Sequence, residues 1–218
     1  MIKLLKKEFA LCLHPTAIIF LFLSSLVFAP NYPYEIIFFF SGLSVFFVSL
    51  IARENGDLAF TCGLPVKKSH IPLARILMAV ILQCAILLLT AIAIAVKETT
   101  FPPDMQVNLA GNSATVATLG FGGIILGAFN VTFFPMHFKN PRRVGIPFVI
   151  AAAVIFVLIV ILIVLRWTAP FFSEKLNTPD PNFLGAKFAV LAIGICMYST
   201  LTVCAAWLSG KYFEKVDF

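Results

Sequence analysis

Charge is scarce in this chain, and none of it lies in the middle of the last five of its apolar runs. Only 12 % of the 218 residues are charged, 61 % are hydrophobic, and the mean hydropathy is +1.01. A soluble domain of this length has too few charges to cover that much apolar surface, so the solvent must be lipid. Charges kept in a bilayer core usually mark ion or proton pathways. Their absence argues against proton- or sodium-coupled transport and against a voltage sensor. Whatever drives this protein acts from outside the membrane.

The catalytic inventory is also empty. No Gly-x-x-x-x-Gly-Lys-Ser/Thr loop is present to cradle a nucleotide phosphate. His-Glu-x-x-His and Gly-x-Ser-x-Gly are missing, and no intramembrane Asp pair exists for an aspartyl protease. His14, His70 and His137 lie on separate elements without acidic partners at ligand spacing, so no metal site is expected. The five cysteines, Cys12, Cys62, Cys84, Cys196 and Cys204, fall in apolar runs or on the side assigned below to the cytoplasm. No structural disulfide is expected, and the thiols read as small apolar fillers.

What the chain does have is six apolar blocks, at residues 9–29, 36–52, 71–96, 114–135, 146–165 and 188–209. At about 20 residues per crossing these are six transmembrane helices, which makes the fold an all-α polytopic membrane protein in one domain, residues 1–218. With the N-terminus taken as cytoplasmic, twelve of the sixteen basic residues fall inside and four outside, while the ten acidic residues split evenly. The net charge of +6 is therefore the positive-inside bias of a membrane protein and not a nucleic-acid surface. Both termini are expected in the cytoplasm.

Residues 1–13 carry Ile2, Leu5, Phe9 and Leu13 at helical spacing, with Lys3, Lys6 and Lys7 on the other side. This is the pattern of an interfacial helix whose lysines point to anionic lipid. A basic start before an apolar run also occurs in signal peptides, but no small-x-small cleavage site is clear. Pro15 shortens the first span, which runs to about Phe28. The fourth span is rich in glycine, and the spacing of Gly123 and Gly127 lets helices approach closely, either in a dimer seam or in packing within the chain. Asn130 in the same span is expected to hydrogen-bond between helices. A short basic loop, residues 137–143, is explained by topology. The exterior segments, 97–113 with Pro102, Pro103, Asn108 and Asn112, and 166–186 with Pro170, Pro179 and Pro181, are longer, and the second suits short helices dipping into the outer leaflet.

Residues 53–68 form the longest easily solvated stretch in the first half of the chain. Acidic residues open it, Leu58, Ala59 and Phe60 form a short apolar core, and Gly63 and Pro65 stop it. That is the grammar of a two-turn helix. A short amphipathic helix held between two spans suits contact with a cytosolic partner. Glu54-x-Gly56-Asp57, followed by Leu64-Pro65-Val66 and by Arg75 at the head of the next span, resembles the permeases of type-2 ABC exporters; Lys67 departs mildly from the Ser frequent there. The chain is similar in size and character to small permeases of bacterial peptide-toxin exporters, including phenol-soluble modulin exporters.

The resemblance implies that residues 54–64 are a cytoplasmic coupling helix seated in a groove of an ATPase subunit. Glu54, Gly56, Asp57, Leu58, Phe60, Leu64 and Pro65 would then form the partner surface. It further implies a second permease, identical or homologous, in a bacterial cytoplasmic membrane. No cofactor is expected on this chain, since ATP and Mg²⁺ would bind the separate ATPase. The function expected is export of amphipathic peptides or hydrophobic compounds. The alternative is a non-transporting scaffold or immunity-type protein that binds its ligand without moving it.

Overall fold

The computed structural model describes residues 1–102, 106–107, 111–178 and 183–216. Pro103, Asn108, Pro179 and Pro181, named above in the exterior segments, lie outside the described residues. Among the described residues the regular structure is helical, save one isolated bridge between Val107 and Ser113. In chain order the helices are α1 (Ile2–Leu11), α2 (Pro15–Leu21), α3 (Ile36–Glu54), α4 (Asp57–Cys62), α5 (His70–Thr100), α6 (Val116–Lys139), α7 (Gly145–Thr168) and α8 (Leu184–Phe213). A 3-10 stretch (Phe22–Phe28) continues α2, and a π-helical turn (Phe171–Leu176) precedes α8.

Five of these helices, α3 and α5 to α8, are long and apolar enough to cross a membrane. A sixth candidate is the bent pair of α1 with α2 and its 3-10 continuation, which is long and apolar enough only when taken together and breaks by 93° between its halves. When α2 stands upright in the bilayer, α1 therefore lies along its surface. The break has a local cause. Pro15 sits in the first helical turn, where its missing N–H costs nothing, and the His14 ring accepts from the Thr16 amide at 3.3 Å. Residues 9–11, counted above with the first span, belong to α1 instead. What remains rises only about 25 Å at the usual α and 3-10 pitches, short of a hydrocarbon core of about 30 Å.

The other helices extend beyond their apolar blocks. α6 runs through Pro135 to Lys139, so His137, read above as a loop residue, is helical and buried. It stacks on Phe133 with ring centroids 5.4 Å apart. Around it lies an aromatic core in which Phe38, Phe129, Phe134, Phe138 and Phe213 are fully buried. α7 and α8 turn outward, with only 17 % and 11 % of their most apolar stretches covered by the rest of the chain.

α6 and α8 make the closest approach in the bundle. A Cβ on Gly194 would lie 2.2 Å from the Gly120 carbonyl oxygen, and one on Gly120 would lie 2.5 Å from that of Val190. Gly123 backs onto the Gly194 carbonyl, and Gly127 onto the backbone of Tyr198. The Gly123/Gly127 face is thus used for packing inside the chain. One turn further on, Asn130 and Gln83 exchange two 2.8 Å hydrogen bonds, Asn130 donates to Thr202, and the Tyr198 hydroxyl donates to Gln83. Three spans are joined there by neutral groups that satisfy one another, as buried polar groups must.

The end of the bundle far from the N-terminus is closed by a second set of polar contacts. Arg166 of α7 pairs with buried Glu35 just before α3 and donates to Asn112. Lys97 of α5 donates to the Tyr34 hydroxyl at 2.8 Å and to the Val27 carbonyl at 3.2 Å.

The glycine packing generates a direct expectation. Gly194→Leu forces backbone apart at a contact with no flexible neighbour, and should lower the detergent melting temperature by the equivalent of about 1–3 kcal/mol or more. Gly185→Ala, with nothing within 4 Å of its new Cβ, should leave it unchanged. Thermal unfolding followed by size-exclusion fluorescence makes the comparison.

Candidate functional site: the α4 face and its ionic seat

α4 is too short to hold itself in place by helix propensity, since isolated helices under about 12 residues are marginal in water. Its position must come from its contacts. Gly56 makes the turn out of α3 with φ +63°, a left-handed conformation that favours glycine. This turn delivers Asp57, Leu58 and Thr61 to one side of α4, where all three are buried. Asp57 and Thr61 are one helical turn apart and so share a face.

On that inner face three elements are tied by charge. The Arg75 guanidinium, one turn inside α5, donates from Nη2 to Asp57 Oδ2 at 2.8 Å, and its Nε pairs with Glu8 of α1. The Lys7 ammonium bridges back to Asp57 Oδ1 at 2.8 Å, to Thr61 Oγ1 at 2.8 Å and to Glu8 Oε1 at 2.9 Å. Thr61 in turn donates to the Asp57 carbonyl at 2.7 Å. Two cations and two anions therefore meet at one point with no net charge. Arg75, Glu8 and Asp57 are each at most 4 % exposed. Such a set pays a large desolvation cost and depends on every member.

Glu8, Cys12 and Asp57 bring three ligand atoms within 4.8 Å of one another. The donor chemistry does not suit a metal, because the cationic position is taken by Arg75 and Lys7. Burial also pushes the Cys12 thiol up to about 12 despite the neighbouring Arg75, so it stays protonated and instead accepts from Arg75 Nη2 at 3.3 Å. Burial pulls the Lys7 ammonium down, but its hydrogen bonds to Asp57 and Glu8 outweigh this and leave its pKa above the ordinary 10.5.

The outer face of α4 is different in kind. Phe60 is 62 % exposed and Leu64 37 %. Ala59 and Pro65 are exposed beside them, as are Glu54 and Gly56. Of the residues assigned above to a partner surface, Glu54, Gly56, Phe60, Leu64 and Pro65 do face outward. Asp57 and Leu58 do not, because Asp57 neutralises Arg75 and Leu58 packs into the aromatic core. Lys7 is likewise corrected: it was expected to point to lipid headgroups with Lys3 and Lys6, and it is spent on Asp57. Lys7, Glu8 and Thr61 were missed as site residues. The available signal was Arg75, a lone cation at the head of a 31-residue apolar helix, which requires a buried partner.

The two faces respond differently to substitution. Arg75→Met strands two buried carboxylates and should cost about 3–5 kcal/mol. Glu54→Gln loosens only the exposed 3.7 Å contact with Arg53 and should cost less than about 1 kcal/mol. A raised ammonium pKa gives stability that is complete below the unfolded value and is lost only as pH climbs through the folded one. Lys7 should therefore contribute no loss of stability from about pH 6 to pH 9. Thermal unfolding of the three proteins across that range measures both effects.

A family model described as ABC-2 family transporter protein matches residues 3–211. Neither the curated proteins nor the solved structures include a significant match to the chain. The family match spans all eight helices, including the short α4 between its two long neighbours. The chain belongs to the ABC-2 family of transporter membrane proteins and is a permease subunit of an ABC transporter, a multi-pass helical protein that works with an ABC ATPase.

Proposed function

We propose that this permease is the membrane half of an ATP-driven exporter and that α4 is its coupling helix. The observation that carries the reading is the two-faced build of α4: an apolar outer face with nothing covering it, and an inner face bound by charge to α1 and α5. A helix exposing Phe60 to water needs a partner to cover it. A helix fastened by Arg75 to a span passes on any push it receives.

In this reading the end carrying both termini and residues 53–70 is cytoplasmic, in a bacterial cytoplasmic membrane, as the distribution of basic residues supports. The partner ATPase binds ATP and Mg²⁺, and this chain supplies no catalytic group and holds no cofactor. Closure of the ATPases displaces α4, and the ionic seat carries α1 and α5 with it as a rigid body. A second permease, identical or homologous, completes the transporter. An interior built from phenylalanine and aliphatic side chains, with Gln83, Asn130, Thr202 and Tyr198 paired among themselves, favours amphipathic peptides or hydrophobic compounds as cargo and outward movement as the direction.

Phe60→Asp and Leu64→Asp each place an unpaired charge where an apolar anchor is needed. Loss of an anchor costs about 2 kcal/mol or more, about a 30-fold loss of affinity. ATPase recruitment should fail in both variants while membrane insertion stays normal, and Asn55→Ala should bind as the wild type. Co-purification of the ATPase from membranes reads the result. Wild-type recruitment by both variants would remove α4 from the coupling role, and a chain that never brings down an ATPase in equal amount would favour a scaffold instead.

A further inference from the structure

Two grooves flank α4, and their linings share an apolar floor and a cationic rim. The first, about 280 Å³, lies beside the start of α4, with a floor of Ala52, Leu58, Ala59 and Pro141 and a rim of Arg53 and Arg142. The second, about 670 Å³, lies beyond its end, with Ile2, Leu4, Pro65 and Val66 below and Lys3 and Lys67 at the edge. No carboxylate lines either groove. The reason lies inside the chain: Asp57 and Glu8, the acids of α4 and α1, are consumed by the ionic seat. Glu54, 3.7 Å from Arg53, is left exposed, and a pair so open to solvent neutralises little.

A third groove shows that topology alone does not produce this pattern. It lies between the start of α5 and the end of α8, and there Lys211 stands over the Trp207 ring at 4.9 Å with Glu214 in the same lining. Basic residues at this end are thus balanced on α8 and unbalanced around α4. Arg53 and Arg142 also come from separate parts of the chain, the end of α3 and the turn before α7, and converge on one groove.

Resting on the coupling-helix reading, we propose that the ATPase surface received by α4 is an apolar socket for Phe60 and Leu64 bordered by carboxylates, which enter the two cation-rimmed grooves. The apolar contact holds the complex, and the charges steer its formation. Carboxylates next to apolar side chains match both features of each groove, the apolar floor and the cationic rim. Charge at a rim acts on the rate of association and its salt dependence, whereas a buried anchor acts on dissociation.

The test uses full-length chain in neutral phosphatidylcholine nanodiscs and the purified ATP-hydrolysing subunit that co-purifies with the wild type. Arg53→Glu/Arg142→Glu should slow association at least about tenfold and flatten its salt dependence, with dissociation nearly unchanged. Arg53→Gln/Arg142→Gln should give a smaller shift in the same direction. Lys211→Glu, on the balanced groove, should associate as the wild type, and Phe60→Ala should speed dissociation. If the double reversal associates at the wild-type rate and salt slope while Phe60→Asp abolishes binding, the acidic border is wrong and the coupling helix stands. If Phe60→Asp also binds normally, the coupling reading itself fails. If the reversal matters only when anionic lipid is added to the discs, the grooves hold lipid headgroups and the proposal is overturned.

Discussion

One buried guanidinium organises this end of the molecule. Arg75 sits at the head of a long apolar helix, where a lone cation is costly, and its charge is met by Glu8 from α1 and Asp57 from α4. Neither of those helices is long enough to hold its place unaided. α4 is six residues long and α1 ten, so their positions are those that satisfy Arg75. A purely apolar contact would tolerate sliding. A set of paired charges with defined hydrogen-bond directions does not, because displacement by an ångström or two leaves a desolvated ion unpaired.

This constraint sorts the rest of the surface. Because Asp57 and Glu8 are used inside, the face around α4 keeps its cations and only Glu54 of the nearby acids stays exposed. Because Asp57 and Thr61 point inward, Phe60, between them in sequence, is driven outward. The exposed aromatic knob, the cationic grooves and the rigid attachment to α5 therefore have one origin. At the opposite end Arg166 and Glu35 clasp α7 to the start of α3, and in the middle Gln83 and Asn130 join α5 to α6. Each pairing spans different helices, so the bundle is fixed at three levels by polar contacts, with apolar packing between them.

Much of the fold was legible in the sequence. Lipid as the solvent, six apolar blocks, the surface helix before Pro15 and the helix–helix role of Asn130 all follow from composition and spacing, because a bilayer dictates the length and polarity of what crosses it. The outward Phe60 was legible as well, whereas the turn at Gly56 was not: residues 54–64 read as one helix, and the structure ends α3 at Glu54 and starts α4 at Asp57. Nor was the ionic seat legible. Lys7 and Glu8 are adjacent in a helix whose other lysines, Lys3 and Lys6, do face solvent, and nothing in the spacing of Lys7 sets it apart. Which lysine turns inward depends on where α5 places Arg75, a long-range fact. Gly123 and Gly127 signalled close packing, but their partner on α8, Gly194, has no marker that tells a packing glycine from any other. Helix ends were misplaced for a related reason: His137 reads as the start of a basic loop, and aromatic packing around it keeps the helix going to Lys139.

The central claim is that α4 moves with α1 and α5 as one body. Spin labels at the exposed positions Ala59 on α4, Ala10 on α1, Leu77 on α5 and Ile150 on α7 allow distances to be compared between the nucleotide-free complex and one trapped with ATP and vanadate. The account predicts that the distances from Ala59 to Ala10 and to Leu77 stay the same while the distance from Ala59 to Ile150 changes. A change between Ala59 and Ala10 as large as that to Ile150 would mean that the ionic seat opens during the cycle, and would contradict it.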